Sequence, residues 1–92
     1  PYAAVKRDLA LVCDEKTTCG EIEETIKKAS PLVGEIKLFD IYRGANLGEG
    51  KKSMAFTLSL SDPKKEVSAE EVERVVKKIL GNLKFKLGIE IR

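Results

Sequence analysis

The stretch from Leu38 to Leu60, LFDIYRGANLGEGKKSMAFTLSL, constrains the fold of this 92-residue chain more than any other. In its second half Met54, Phe56, Leu58 and Leu60 alternate strictly with Ser53, Ala55, Thr57, Ser59 and Ser61. A period of two requires a strand with one face in a core and the other open to solvent, here carrying small side chains. Upstream, Leu38–Tyr42 forms a second apolar run, and the connection holds Gly44, Gly48, Gly50 and the pair Lys51–Lys52. The pattern predicts two strands joined by a long, irregular loop. A flat face of small polar residues beside a basic loop and one tyrosine suits an unstacked nucleic-acid base. It suits an ordinary wet sheet face equally well.

Faces are harder to assign in the earlier strand, expected over Glu35–Tyr42. By simple parity Leu38, Asp40 and Tyr42 share one side and Phe39 and Ile41 the other, so both sides carry apolar residues. A bulge near Asp40 would reconcile the conflict, and bulges are frequent beside functional sites.

Around this pair the remaining elements follow in order. Val5–Val12 places Leu9 and Leu11 on one face and Ala10 and Val12 on the other, which predicts a central strand. After the polar break Asp14–Lys16, Thr18 stands three residues before Glu21, the spacing of a capping box. Ile22, Ile26 and Ala29 continue at helical spacing until Ser30–Pro31 stops the helix. Asp62–Lys65 reads as a turn, and Ser68 with Glu71 repeats the capping box. Val72, Val75, Val76, Ile79, Leu80 and Leu83 then form a wide apolar stripe. Gly81 and Asn82 weaken this helix locally, but it is expected to run to a Gly88 cap, with a short last strand at Ile89–Arg92. Strand, helix, strand, strand, helix, strand is the α+β ferredoxin-like βαββαβ arrangement. It predicts a four-stranded antiparallel sheet in the order 4-1-3-2, with both helices on one face.

Composition narrows the chemistry. Ninety-two residues with 42% hydrophobic content make one domain and one core, spanning residues 1–92. The chain begins at Pro1 without a methionine, which reads as a segment of a longer polypeptide. No apolar run approaches the length of a membrane span. The formal charge of +2 is uneven: residues 1–50 carry 7 basic and 9 acidic side chains, residues 51–92 carry 10 and 6. This mild asymmetry steers an anionic partner only weakly. With no histidine and two cysteines, Cys13 and Cys19, there is neither a standard zinc set nor a Cys–His nucleophile. The two thiols are expected to be reduced in a cytosolic protein, although their spacing also permits a disulfide.

Four segments resemble, in order and spacing, one known domain. They are Arg7-Asp8-Leu9-Ala10-Leu11, Leu38-Phe39-Asp40-x-Tyr42, Gly50-Lys51-Lys52-Ser53-Met54-Ala55-Phe56, and Asp62-Pro63 followed by Ser68-x-Glu70-Glu71-Val72. Gly88-x-Glu90-x-Arg92 completes the likeness. The domain is the ferredoxin-like anticodon-binding domain that closes the bacterial phenylalanyl-tRNA synthetase β subunit. Lys65-Glu66-Val67-Ser68 and Met54 depart from its usual residues without removing the cap or the core position.

The resemblance implies recognition of the tRNA(Phe) anticodon stem-loop, chiefly of its first anticodon base, guanine. Asp40, Tyr42 and Ser53 match the family's contact positions. Tyr42 offers a ring for stacking, Asp40 an acceptor for the N1–H and N2 edge of guanine, and Ser53 a donor or acceptor. Arg43, Lys51 and Lys52 are expected at phosphates. Each residue also has a plainer reading: Asp40 capping a turn or pairing with Lys52, Tyr42 as a half-buried strand aromatic, and Arg7–Asp8 as a charged pair at a strand start. The resemblance further implies a cytoplasmic class II aminoacyl-tRNA synthetase in which this domain is itself non-catalytic. Its implied partners are the rest of the β subunit and the α subunit of an (αβ)2 heterotetramer, with no membrane and no DNA partner. No cofactor is implied in the domain; ATP and Mg2+ belong to the parent enzyme.

Two other functions share this topology. A small-molecule regulatory domain would need an effector loop after the first strand, and none is evident. An acylphosphatase would need a phosphate-cradling loop there, where Cys13-Asp14-Glu15-Lys16 is net acidic.

Overall fold

Strict alternation in two neighbouring strands fixes the centre of the sheet. The computed structural model describes residues 2–92. Their elements are β1 (Val5–Asp14), α1 (Cys19–Ala29), β2 (Val33–Tyr42), β3 (Lys51–Leu60), α2 (Ala69–Leu87) and β4 (Glu90–Ile91), with a single 3-10 turn at Ala45–Leu47. β1 and β3 pair antiparallel along their whole length, from Val5 opposite Leu60 to Asp14 opposite Lys51. β2 joins the outer side of β3 and β4 that of β1, giving the order β2-β3-β1-β4. This is the expected 4-1-3-2 order read from the other edge.

The pairing places Leu9 opposite Phe56 and Leu11 opposite Met54. Side chains directly opposite one another share a face, so the apolar sets of both strands combine on one side. There they meet Ile22, Ile26 and Ala29 of α1 and Ile79 and Leu83 of α2, with Ile89 closing the end. Phe56, Leu11, Ile22, Ile26 and Leu83 are wholly buried. At roughly 1.5–3 kcal/mol for each large apolar side chain removed from water, this layer is the main favourable term in folding.

Both helix starts behave as the spacing predicts. Thr18 Oγ1 accepts from the Glu21 amide at 3.1 Å, while the Glu21 carboxylate accepts from the Thr18 amide at 2.9 Å. Ser68 and Glu71 make the same reciprocal pair at 3.1 and 3.2 Å. The Ser68 backbone N–H, aided by Lys65, holds the Glu71 carboxyl below its usual range. α2 passes through Gly81 and Asn82 unbroken and ends at Gly88, whose φ of +65° lets its N–H reach the Lys84 carbonyl at 3.0 Å. A Cβ is disfavoured in this left-handed region by about 1–2 kcal/mol. Gly88→Ala is therefore expected to lower stability by about 1 kcal/mol, read as a lower urea midpoint at an unchanged slope.

Strand boundaries differ from the expectation, and β2 begins at Val33 rather than Glu35. β1 extends to Asp14 and β3 starts at Lys51, because the ladder continues through polar residues once the register is set; the loop between β2 and β3 is therefore only residues 43–50. β4 pairs over Glu90–Ile91 rather than Ile89–Arg92, with Ile89 turned into the core. Arg7 and Asp8 are not a mutual pair. As strand neighbours they point to opposite faces, Arg7 within 3.7 Å of Glu73 and Asp8 accepting from Thr57 Oγ1 at 2.8 Å.

Candidate nucleic-acid interface

The ambiguous parity of β2 is settled by a bulge. Leu38 stands opposite Phe56 and Asp40 opposite Ala55, so Phe39 is an extra residue in the strand. Leu38 consequently lies on the helix-covered face, whereas Asp40 and Tyr42 lie on the other, opposite Ala55 and Ser53. Simple parity had grouped Leu38 with Asp40 and Tyr42; the inserted residue separates them. Phe39 is left 54% exposed, directly before Asp40. The same bulge therefore turns an acid and a ring toward the open face and an aromatic out of the core.

Rows of side chains can be followed across the sheet. Tyr42 is opposite Ser53, Ser53 opposite Val12, and Val12 opposite Glu90. In the next row Asp40 is opposite Ala55 and Ala55 opposite Ala10, whose carbonyl accepts the Arg92 N–H at 2.8 Å. Asp40, Tyr42 and Ser53 thus share one end of the open face.

Tyr42 is held in place. Its hydroxyl donates to Asn46 Oδ1 at 2.8 Å, in the 3-10 turn after β2. Gly44 lies under that hydroxyl, where an added Cβ would come within 2.3 Å of it. Glycine is required here by close approach, since its φ of −165° is ordinary extended backbone. On the ring, the Arg92 guanidinium carbon stands 4.3 Å from the centroid, a cation–π contact. Neither Gly44, Asn46 nor Arg92 was among the residues read from the sequence as forming the site. Gly44 and Asn46 follow Tyr42 closely enough for a turn signal to point at them, whereas Arg92 arrives from the far edge of the sheet with no local signal.

Ser53 departs from its expected exposure. It is 2% exposed, and its Oγ has no hydrogen-bond partner among the described residues. A buried hydroxyl without a partner is uncommon and costs roughly 1–3 kcal/mol. Ala55, Thr57 and Ser59, further along the same face, remain partly exposed. Asp40 is exposed and takes part in none of the ion pairs among the described residues.

The three expected phosphate contacts fare differently. Lys51 lies on the open face and binds Asp14 Oδ1 at 2.6 Å. Arg43 Nε reaches both Glu15 carboxylate oxygens at 3.0 Å. The hydrogen bonds from Lys51 and Arg43 hold the Asp14 and Glu15 carboxyls below their usual range, so both acids stay ionised at neutral pH. These pairs are exposed, and such pairs exchange partners at little cost. Lys52 is not brought to this face. It stands opposite Cys13 on the helix-covered side and is 8% exposed, which also excludes a pair with Asp40. Its parity with Met54 and Phe56 decides this, because a side chain one position from Ser53 must point the other way.

Cys13 and Cys19 are both free thiols. Burial raises the pKa of each above its ordinary value, which favours the protonated thiol at neutral pH.

The model of the ferredoxin-fold anticodon binding domain family matches residues 1–92. Among curated relatives, the phenylalanine–tRNA ligase beta subunit of Geobacillus kaustophilus is 39% identical over 92 residues, which cover 99% of this chain and 11% of the relative. That of Bacteroides fragilis is 42% identical over 95 residues, with the same coverage. That of Lactococcus lactis is 43% identical over 90 residues, covering 97% of this chain and 11% of the relative. The chain thus spans about a tenth of the length of the relatives it matches. With the expected sheet order, a match along its entire length and this level of identity, the chain belongs to the ferredoxin-fold anticodon binding domain family.

Proposed function

We propose that this domain reads the anticodon stem-loop of tRNA(Phe) as the anticodon-binding part of a phenylalanine–tRNA ligase β subunit. The observation that supports it most is the Phe39 bulge, which brings Asp40 and Tyr42 beside Ser53 at one end of an open sheet face. Unstacked loop bases are recognised on such faces by stacking and by hydrogen bonds to their edges. In this reading the Tyr42 ring carries the first anticodon base. Asp40 accepts from N1–H and the N2 amino group of guanine, a donor pair that adenine lacks. The Ser53 hydroxyl, unpartnered in the free domain, takes the remaining edge contact.

Arg43 and Lys51 exchange their carboxylates for phosphates, contributing salt-dependent affinity without base preference. Lys52, on the opposite face, has no part in it. Aminoacylation, with its ATP and Mg2+, belongs to the parent enzyme, of which this domain is a non-catalytic part. The partners in that assembly are the rest of the β subunit and an α subunit, in an (αβ)2 heterotetramer in the cytoplasm. Among the described residues no helix is long and apolar enough to cross a membrane.

The test is an NMR titration of the labelled chain with the tRNA(Phe) anticodon stem-loop and with one carrying adenine at the first anticodon position. Shifts at residues 40–53 that are lost with adenine are expected. Equal shifts with both RNAs would reduce the site to phosphate steering. No shift at millimolar RNA would overturn the reading.

A further inference from the structure

The Arg92 guanidinium lies over one face of the Tyr42 ring, and the residue opposite Tyr42 on β3 is the buried Ser53, unpartnered among the described residues. Arg92 is anchored at the opposite edge of the sheet by its N–H to the Ala10 carbonyl. Ala10 faces away from the helices, so the Arg92 side chain starts on the open face beside β1 and meets a Tyr42 ring that comes from β2, the other edge of the sheet. The row in which it starts continues through Ala10 and Ala55, whose side chains are single methyl groups. Two side chains from opposite edges of the sheet thus close over its middle, and the face that accepts a base is covered at this end.

We propose that Arg92 is a further RNA-contacting residue, closing the Tyr42–Ser53 site in the free domain and passing to the RNA when a base enters. The inference rests on the anticodon-binding reading above. A base stacking on Tyr42 from the open side must take the guanidinium's place. An exposed cation–π contact is weaker than base–aromatic stacking, so the exchange runs toward the base. The displaced group is a planar fork of N–H donors that remains tethered to Ala10, and it meets phosphate oxygens with paired hydrogen bonds. Lifting Arg92 also opens Ser53 Oγ to the incoming base edge. Closure and recognition use the same side chains.

The test uses the chain with Arg92, Arg92→Ala and Arg92→Lys, titrated with the anticodon stem-loop over a series of salt concentrations. In the free protein the Arg92 Nε–H resonance is expected upfield, under the Tyr42 ring current, and Tyr42→Phe retains that shift. Adding RNA should abolish it. Arg92→Ala should weaken binding about five- to tenfold and reduce the log–log salt slope by about 0.7, the share of one single-strand phosphate contact. Arg92→Lys should restore the slope. A resonance that stays in place while RNA binds would overturn the proposal. So would Arg92→Ala binding with unchanged slope, or binding more tightly than the parent chain, which would make the guanidinium a plug only. Failure of the unsubstituted chain to bind the stem-loop would overturn the anticodon-binding reading itself, and is seen before any variant is made.

Discussion

Replacing Tyr42 with alanine is expected to weaken binding of the tRNA(Phe) anticodon stem-loop by roughly 5- to 150-fold, with little change in the stability of the domain. The range corresponds to stacking of one base on one ring, about 1–3 kcal/mol. Stability should hold because Tyr42 lies at the end of an edge strand, half-buried on the open face and outside the core under the helices. Among the described residues its only side-chain hydrogen bond is to Asn46 in the adjacent turn. Tyr42→Phe removes that bond and keeps the ring, so it should retain most of the affinity. A dissociation constant measured for each variant by titration, beside a urea midpoint, separates the two effects. Equal affinity for the alanine variant and the parent chain would remove stacking from the mechanism.

Ser53→Ala is expected to move stability and binding in opposite directions. The hydroxyl is buried and unpartnered, so deleting it removes a desolvation penalty and should stabilise the fold by about 1 kcal/mol. Alanine fits, since it is smaller than serine and occurs two residues on at Ala55. The same substitution removes the group expected to meet the base edge, a hydrogen bond whose net worth of about 1 kcal/mol corresponds to roughly fivefold in affinity. A serine with a purely structural role would lose stability on truncation and leave binding untouched. A lower urea midpoint for Ser53→Ala would show that the hydroxyl is satisfied in the free protein, and would remove the argument that it is held ready for a ligand.

Both expectations depend on geometry that local sequence carries unevenly. The alternation through Met54–Leu60 determined β3 and its core face, and that parity held residue for residue in the buried positions. The capping pairs Thr18–Glu21 and Ser68–Glu71 determined where the helices start, because each is a contact between residues three apart. Gly88 set the end of α2 for a similar reason, since its left-handed φ is a property of one residue. The order of elements, and with it the sheet order, followed from these local signals together with the handedness of the connections.

The open face was a different matter. The sequence indicated a bulge near Asp40, but only pairing with β3 decides that Phe39 is the added residue and that Leu38 and Asp40 part company. Lys52 beside Lys51 looked like a second phosphate contact. Its parity with Met54 and Phe56 already points it away from Ser53, but only the pairing with β1, which carries β3 back to Lys51, extends that parity to Lys52 and buries it opposite Cys13. Ser53 looked solvent-exposed on alternation alone, yet between Val12 and Tyr42 of the neighbouring strands it is 2% exposed. What the sequence by itself determined are features made by residues within one turn or one strand. What only the tertiary structure decided is which side chains meet across strands, from Arg92 on Tyr42 to the unpartnered hydroxyl of Ser53. The physical reason is that periodicity encodes which way a residue points, whereas a contact between distant segments depends on register, and register is set by the whole sheet.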